Sequence, residues 1–328
     1  MQSPLSPAKA NKALFFFGIY FLGISAVLGI VLAILGAEEN MMLYTGIAQI
    51  AGLFVPFVFY LIITKQSPKK VLPWKGLSLK NTLLVVVISL AILPIIQIVA
   101  FLSSFIFTPV IMDVDFTASP MWITLIVTAV FPALFEEFWF RGALYTGYRA
   151  GGVSILKTAL ITALFFGLTH SNLHQALFAF LIGILYAYMV YYTGSILAPI
   201  LGHFINNGIH AVLAYVEPYV QWADSMAEAP GTFLLIMAVS SLVMIPVVWL
   251  CMKQFKKHYA ANCEEAAENE EDLQVAETDE LAAKPKVYTW GFWAALSVFA
   301  FVALLVEFAL RMAPVMMEFL EQLEQMQL

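Results

Sequence analysis

The stretch MWITLIVTAVFPALFEEFWFRG, residues 121–142, has the length of a membrane-spanning helix but carries two glutamates and an arginine near its end. A spanning helix needs about 20 apolar residues, because the hydrocarbon core is about 30 Å thick and each helical residue rises about 1.5 Å. Each charged side chain placed inside a bilayer costs roughly 2.5–3.5 kcal/mol on insertion scales. This stretch therefore predicts a membrane helix whose charged residues serve a purpose in the protein interior.

The composition of the whole chain supports a membrane protein. Its 328 residues are 62% hydrophobic and 12% charged, whereas soluble domains average about 45–50% apolar and about 25% charged residues. No short segments of alternating hydrophobicity suggest a barrel, and lipid does not tolerate open sheet edges. We predict an all-α polytopic helix bundle with about nine transmembrane helices, a core of about eight plus one C-terminal helix. The predicted segments are 13–36, 41–64, 83–107, 121–148, 154–170, 173–193, 196–216, 232–252 and 290–310.

The distribution of lysine and arginine predicts the orientation and the domain organisation. Basic residues alternate with loops that lack them, which fits a cytoplasmic N-terminus in the cell membrane. The acidic stretch between the last two predicted helices is typical of a disordered linker. We therefore predict an N-terminal three-helix region at 1–120, a membrane core at 121–252 that contains the charged stretch, an acidic cytoplasmic linker at 253–287, and a C-terminal helix and tail at 288–328.

Within the opening stretch, Glu137 and Arg141 are four residues apart and share one helix face. They can form an ion pair, which lowers the cost of burying both charges. Glu136 is rotated by about 100° from Glu137 and need not join that pair. The three residues could form one structural ion cluster, or Glu136 could be free for chemistry.

Two later helices carry polar groups at a similar predicted depth. At about 1.5 Å per residue from the helix ends, Glu136 lies about 20 Å deep, His170 about 24 Å, and His203 and Asn207 about 12 and 18 Å. Three helices would thus bring a carboxylate, two imidazoles and an amide together. A carboxylate can act as general base on water, a histidine can carry a proton, and imidazole and amide groups can donate hydrogen bonds to an oxyanion. This set suits peptide-bond hydrolysis by direct attack of water.

Three motifs on these helices resemble the CAAX protease and bacteriocin-processing family of intramembrane endopeptidases, of the type II CAAX prenyl protease kind. They are Glu136-Glu137-x-x-x-Arg141, Phe166-x-x-x-His170 and His203-x-x-x-Asn207, in this order. The resemblance covers about 121–216. It implies that Glu136 activates water with His170 as its partner, that His203 and Asn207 stabilise the oxyanion, and that Glu137 and Arg141 hold the site in place.

The resemblance also implies a peptide or protein substrate within the lipid bilayer and no nucleic-acid partner. We expect no cofactor. Zinc is the alternative, because His170, His174, His203 and His210 could supply ligands together with Glu136. The motif H-E-x-x-H is absent from the sequence. A transporter or proton-coupled carrier that uses the same polar core, or a catalytically silent membrane scaffold, is the alternative function. Tyr186 belongs to a tyrosine cluster that is typical of an interfacial aromatic belt or a polar access path.

Overall fold

A computed structural model describes residues 6–35, 41–109, 116–268 and 285–326. The helices, in chain order, are α1 Pro7–Leu35, α2 Met41–Gln49, α3 Val55–Thr64, α4 Pro68–Val71, α5 Leu79–Ala91, α6 Leu93–Ser103, α7 Met121–Leu125, α8 Phe131–Glu137, α9 Tyr145–Ala150, α10 Ile155–Leu168, α11 Leu173–Thr193, α12 Leu197–Leu213, α13 Glu217–Glu228, α14 Pro230–Glu268 and α15 Trp290–Met326. A short 3-10 helix spans Phe116–Ala118. No β-strand occurs among the described residues.

The structure confirms an all-α polytopic bundle. Seven helical spans in the described part of the chain are long and apolar enough to cross a membrane. Ile155–Leu168 is apolar but shorter, and α12 has 17 residues. The predicted count of nine is therefore not confirmed, although each of the nine predicted segments contains a helix.

Three π-helical segments interrupt the long spans: π1 Ile50–Phe54 joins α2 to α3, π2 Ile126–Val130 joins α7 to α8, and π3 Phe138–Leu144 joins α8 to α9. π-Helical segments are rare in proteins overall, and many of those that occur lie at functional sites. Two of them flank α8, the seven-residue helix that ends at Glu137. The predicted span 121–148 is therefore one continuous helical rod, Met121–Ala150, whose periodicity changes twice around the glutamates.

α10 and α11 form a tight hairpin whose turn contains His170. The side chain of Ser154 accepts a hydrogen bond at the start of α10, and that of Asn172 does the same for α11, as expected of N-cap residues. Gly167 permits the close approach of the two helices, because a Cβ there would lie 2.6 Å from the carbonyl oxygen of Ala176. The hairpin thus fixes the position of the turn.

The C-terminal helix packs against the main hydrophobic core. Its residues Phe292 and Phe299 are 4% and 1% exposed, and their rings lie 5.6 and 6.1 Å from the ring of Phe165 on α10. Asn11 on α1 donates a 2.7 Å hydrogen bond to the carbonyl of Val287, just before α15. The first and last spans therefore pack together, and their distance in the sequence gave no basis for predicting this contact.

The acidic linker predicted at 253–287 begins inside a helix. α14 continues to Glu268, 16 residues beyond the predicted end at 252, because the intervening sequence contains no Gly or Pro and is rich in Ala, Lys and Glu. The part of the predicted linker at 269–284 lies outside the described residues.

Candidate active site

The charged motif lies where α8 passes into π3. Glu136 and Glu137 are the last residues of α8, and Arg141 lies in the following π-helical segment. Glu137 and Arg141 are completely buried, whereas the Glu136 side chain is 17% exposed. The two adjacent carboxylates therefore occupy different environments, and Glu136 is the one that a ligand could reach.

Glu137 connects the motif to α12. Its Oε1 accepts a 3.1 Å hydrogen bond from Nη1 of Arg141 and lies 3.0 Å from Nδ1 of His203. Because a carboxylate only accepts, Nδ1 of His203 carries a proton and the other ring nitrogen points away from Glu137. Glu137 therefore fixes both the orientation and the tautomer of this imidazole.

Arg141 lies in a cage of aromatic rings and one backbone carbonyl. Its Nη2 donates a 3.0 Å hydrogen bond to the carbonyl of Gly183 on α11. Its guanidinium carbon lies 4.5 Å from the ring centroid of Phe166 and 5.4 Å from that of Tyr186. Gly183 makes room for this contact, since a Cβ there would lie 3.3 Å from Nη2 and 2.9 Å from the Cα of Ala163.

Glu136 faces Nε2 of His203, the ring nitrogen that does not contact Glu137. Its Oε2 lies 3.9 Å from Nε2 of that histidine. The same oxygen is buried and has no hydrogen-bond partner within the described residues. Buried polar atoms are almost always paired, and polar groups more than 3.5 Å apart are often joined by a water molecule.

His170 lies in the turn after α10. Its Nδ1 is 2.9 Å from the carbonyl oxygen of Phe166, so Nδ1 carries the proton and Nε2 keeps its lone pair. The ring of Phe166 stands edge-on to both imidazoles, 5.3 Å from His170 and 5.8 Å from His203. No hydrogen bond or ion pair joins His170 to Glu136 among the described residues, whereas His203 approaches Glu136 directly.

Asn207 lies one turn beyond His203 on α12. Its amide nitrogen donates a 3.0 Å hydrogen bond to the carbonyl of Thr128 in π2. An amide nitrogen has two hydrogens, so one donor remains for a ligand. The contact also fixes α12 against the span that carries the glutamates.

Two buried residues beside these groups, Tyr186 and Asn206, were not among the predicted site residues. Tyr186 is 1% exposed and lies on α11 beside the site, with its ring 5.8 Å from that of His203, so it does not belong to an interfacial belt. Its hydroxyl accepts a 2.8 Å hydrogen bond from Asn206, the neighbour of the motif asparagine. The periodicity of α11 relative to Gly183 could have placed Tyr186 near the same helix face.

His174 and His210, the other predicted zinc-ligand candidates, form no hydrogen bond or ion pair with the glutamates among the described residues. Nε2 of His174 is 2.9 Å from the carbonyl oxygen of Ala100 on α6, and His210 is exposed on α12. Within the described part of the chain, no three His, Cys, Asp or Glu side chains form a group that could hold a metal ion.

Residues 118–209 match a family model described as type II CAAX prenyl endopeptidase Rce1-like. The matched range contains all three motifs, and it confirms the resemblance to the CAAX protease family that those motifs carry. No curated protein and no solved structure matches the chain. Together, the match and the apolar spans support a multi-pass membrane protein of an intramembrane protease type.

Proposed function

We propose that this protein is an intramembrane endopeptidase in which Glu136 activates the water that hydrolyses a peptide bond. One observation carries the proposal: Oε2 of Glu136 is buried without a partner among the described residues, 3.9 Å from Nε2 of His203. A single water molecule can form hydrogen bonds to both atoms across such a gap. The carboxylate and the imidazole would hold this water within a largely water-excluding site.

The reaction would proceed through a tetrahedral intermediate. Glu136 takes a proton from the water as the water oxygen attacks the carbonyl carbon of the substrate, and the carbonyl oxygen becomes an oxyanion. Collapse of the intermediate breaks the C–N bond, and the leaving nitrogen takes the proton from Glu136, either directly or through His170. Nε2 of His170 is free to accept a proton, because its Nδ1 is bonded to the carbonyl of Phe166.

The oxyanion would be stabilised from α12. In the doubly protonated imidazolium, which takes its second proton from solvent before the substrate binds, Nδ1–H of His203 donates to Glu137, and Nε2–H donates first to the water and then to the oxyanion. Asn207 offers the amide hydrogen that does not contact Thr128. Glu137 and Arg141 are positioning residues in this scheme, since they orient His203 without contacting the substrate.

The mechanism that we propose uses no metal ion. This choice rests on the available donors, since structural and catalytic zinc sites use at least three protein ligands and the described residues contain no such group. The alternative is a zinc ion held by Glu136 and His203 with a further ligand that moves into place. In that case the ion would supply Lewis-acid activation of the water.

The substrate that we propose is a peptide or protein segment within the membrane, and the location is the cell membrane with the N-terminus in the cytoplasm. The name of the matched family refers to prenylated CAAX substrates. For this chain we propose peptide hydrolysis, in preference to transport through the same polar core. The unpaired Oε2 of Glu136 beside Nε2 of His203 favours chemistry over a silent scaffold, which would gain nothing from leaving a buried oxygen without a partner.

Comparison of peptide termini in native membranes tests this function. Membranes that contain the wild-type protein and membranes that contain Glu136→Gln should differ in specific new termini, found only with the wild type. Gln keeps the shape of Glu but cannot accept the proton. Identical sets of termini at equal amounts of the two proteins would reject proteolysis and leave transport as the better function.

A further inference from the structure

A cleft of about 750 Å³ opens between α1 and α3 and reaches Trp139 in π3. Its volume is within the range of about 300–1,000 Å³ that is usual for ligand sites. Its floor consists of Phe17 and Trp139, which are 2% and 4% exposed and whose rings stack 4.3 Å apart. Its rims consist of exposed apolar side chains, among them Phe59 and Ile63.

The length of the cleft corresponds to half of a bilayer. Along α1 it runs from Lys9 to Tyr20, which is about 16 Å at 1.5 Å per residue. One leaflet contributes about 15 Å of hydrocarbon. The inner end is crossed by a 3.0 Å hydrogen bond from the Tyr20 hydroxyl to the carbonyl of Ala51 in π1. A chain that enters at Lys9 would therefore end near the middle of the membrane.

The entrance of the cleft is positively charged. Lys9 and Lys12 line it from α1, and Lys65 follows Thr64 at the end of α3. Neither Lys9 nor Lys12 forms an ion pair with a carboxylate among the described residues. Lysines at membrane boundaries commonly reflect topology alone, but these two also line an apolar cleft that is one leaflet long.

We propose that this cleft binds one anionic phospholipid, with its phosphate at Lys9 and Lys12 and one acyl chain between α1 and α3. The charge at the entrance selects the headgroup, and the apolar walls accept the chain. The lipid would contact Trp139, which lies in π3 between the two members of the Glu137–Arg141 pair. This site is separate from the proposed catalytic residues, and lipid binding does not depend on proteolysis.

Native mass spectrometry of the purified full-length protein tests the proposal. The wild type should retain one molecule of phosphatidylglycerol in preference to phosphatidylcholine with the same acyl chains. A lysine near an anionic lipid surface contributes roughly a fivefold change in affinity, so Lys9→Gln combined with Lys12→Gln should weaken phosphatidylglycerol binding about 30-fold. The matched control is Lys69→Gln with Lys70→Gln, a pair of exposed lysines outside the cleft, which should bind as the wild type does.

A second variant tests the apolar part of the site. Ala13→Trp places a large side chain in the cleft and should reduce binding of both lipids, while Lys9 and Lys12 remain. Lipid binding by Ala13→Trp is measured only on variant protein that elutes as a single species. Equal phosphatidylglycerol binding by the Lys9 and Lys12 double variant and by its control would overturn the proposal. So would equal retention of the two lipids by the wild type, or displacement of the bound lipid by millimolar inorganic phosphate.

Discussion

Replacement of Arg141 by Ala should destabilise the protein more than loss of an ordinary surface charge. Arg141 is completely buried and is bonded to Glu137 and to the carbonyl of Gly183, at 3.1 and 3.0 Å. Its removal leaves the Glu137 carboxylate buried beside an imidazole as its only remaining partner among the described residues. The same change leaves a cavity against the rings of Phe166 and Tyr186.

The expected magnitude follows from these contacts. Breaking a buried ion pair by removing one partner costs about 3–5 kcal/mol, since the remaining charge is no longer compensated. We therefore expect the free energy of unfolding to fall by about 3–5 kcal/mol in Arg141→Ala. A double variant, Glu137→Leu with Arg141→Met, should lose less than Arg141→Ala, because it leaves neither charge alone.

Unfolding in mixed micelles, titrated with a denaturing detergent, measures these free energies. The matched control is Arg311→Ala, which removes an arginine from the i, i+4 pair with Glu307, where the arginine side chain is 58% exposed. That control also loses the hydrogen bond from Arg311 to the carbonyl of Ile106, but Glu307 keeps its hydrogen bonds from Thr108, so it should lose about 1 kcal/mol. An Arg141→Ala protein whose free energy of unfolding lies within about 1 kcal/mol of that of the wild type would show that the buried pair does not stabilise the fold.

The other predictions concern packing, the C-terminal helix and the metal. Gly183→Ala should lower the free energy of unfolding by about 1–3 kcal/mol, because the added Cβ would lie 2.9 Å from the Cα of Ala163. An unchanged free energy of unfolding in the same detergent titration would contradict this prediction. Glu307→Ala should lower the free energy of unfolding by about 1–3 kcal/mol, because Glu307 accepts hydrogen bonds from the backbone N–H and the hydroxyl of Thr108. A loss of stability no larger than that of Arg311→Ala would contradict this prediction. A strong chelator should leave the cleavage rate of the purified enzyme unchanged, whereas activity lost to chelation and restored by zinc alone would assign a metal to Glu136.

The sequence predicted the pairs that lie within one helix. The spacing of Glu137 and Arg141 indicated an ion pair, and the structure forms it at 3.1 Å. Spacing alone also separated Glu136 from that pair. Local geometry of this kind follows from the helical repeat, which needs no knowledge of the fold.

Contacts between helices could not be predicted in the same way. The predicted depths of Glu136, His170 and His203 are similar, but depth along a helix does not indicate which histidine approaches the carboxylate. In the structure that neighbour is His203, because Glu137 holds its other ring nitrogen. The π-helical segments beside α8 also rotate the following residues, and no simple pattern in the sequence indicates them.

Two helices, α14 and α15, extend beyond their predicted apolar segments into sequence that contains charged residues. Hydropathy ended two helices at 252 and 310, where lipid contact was expected to end, but α14 and α15 continue to Glu268 and Met326. A helix needs backbone hydrogen bonds and suitable residues, and it does not need an apolar surface along its whole length. Hydropathy therefore does not indicate where these two helices end.

The cleavage rate of purified Glu136→Gln in lipid vesicles measures whether Glu136 is the base. The substrate is a peptide that spans a cleavage site identified by comparison of native membranes, and unfolding measurements establish that wild type and variant are equally stable. We predict that Glu136→Gln has no detectable cleavage, because its side chain can hold the water but cannot take its proton. Cleavage by the folded variant within tenfold of the wild-type rate would contradict the central claim and remove Glu136 from the role of base.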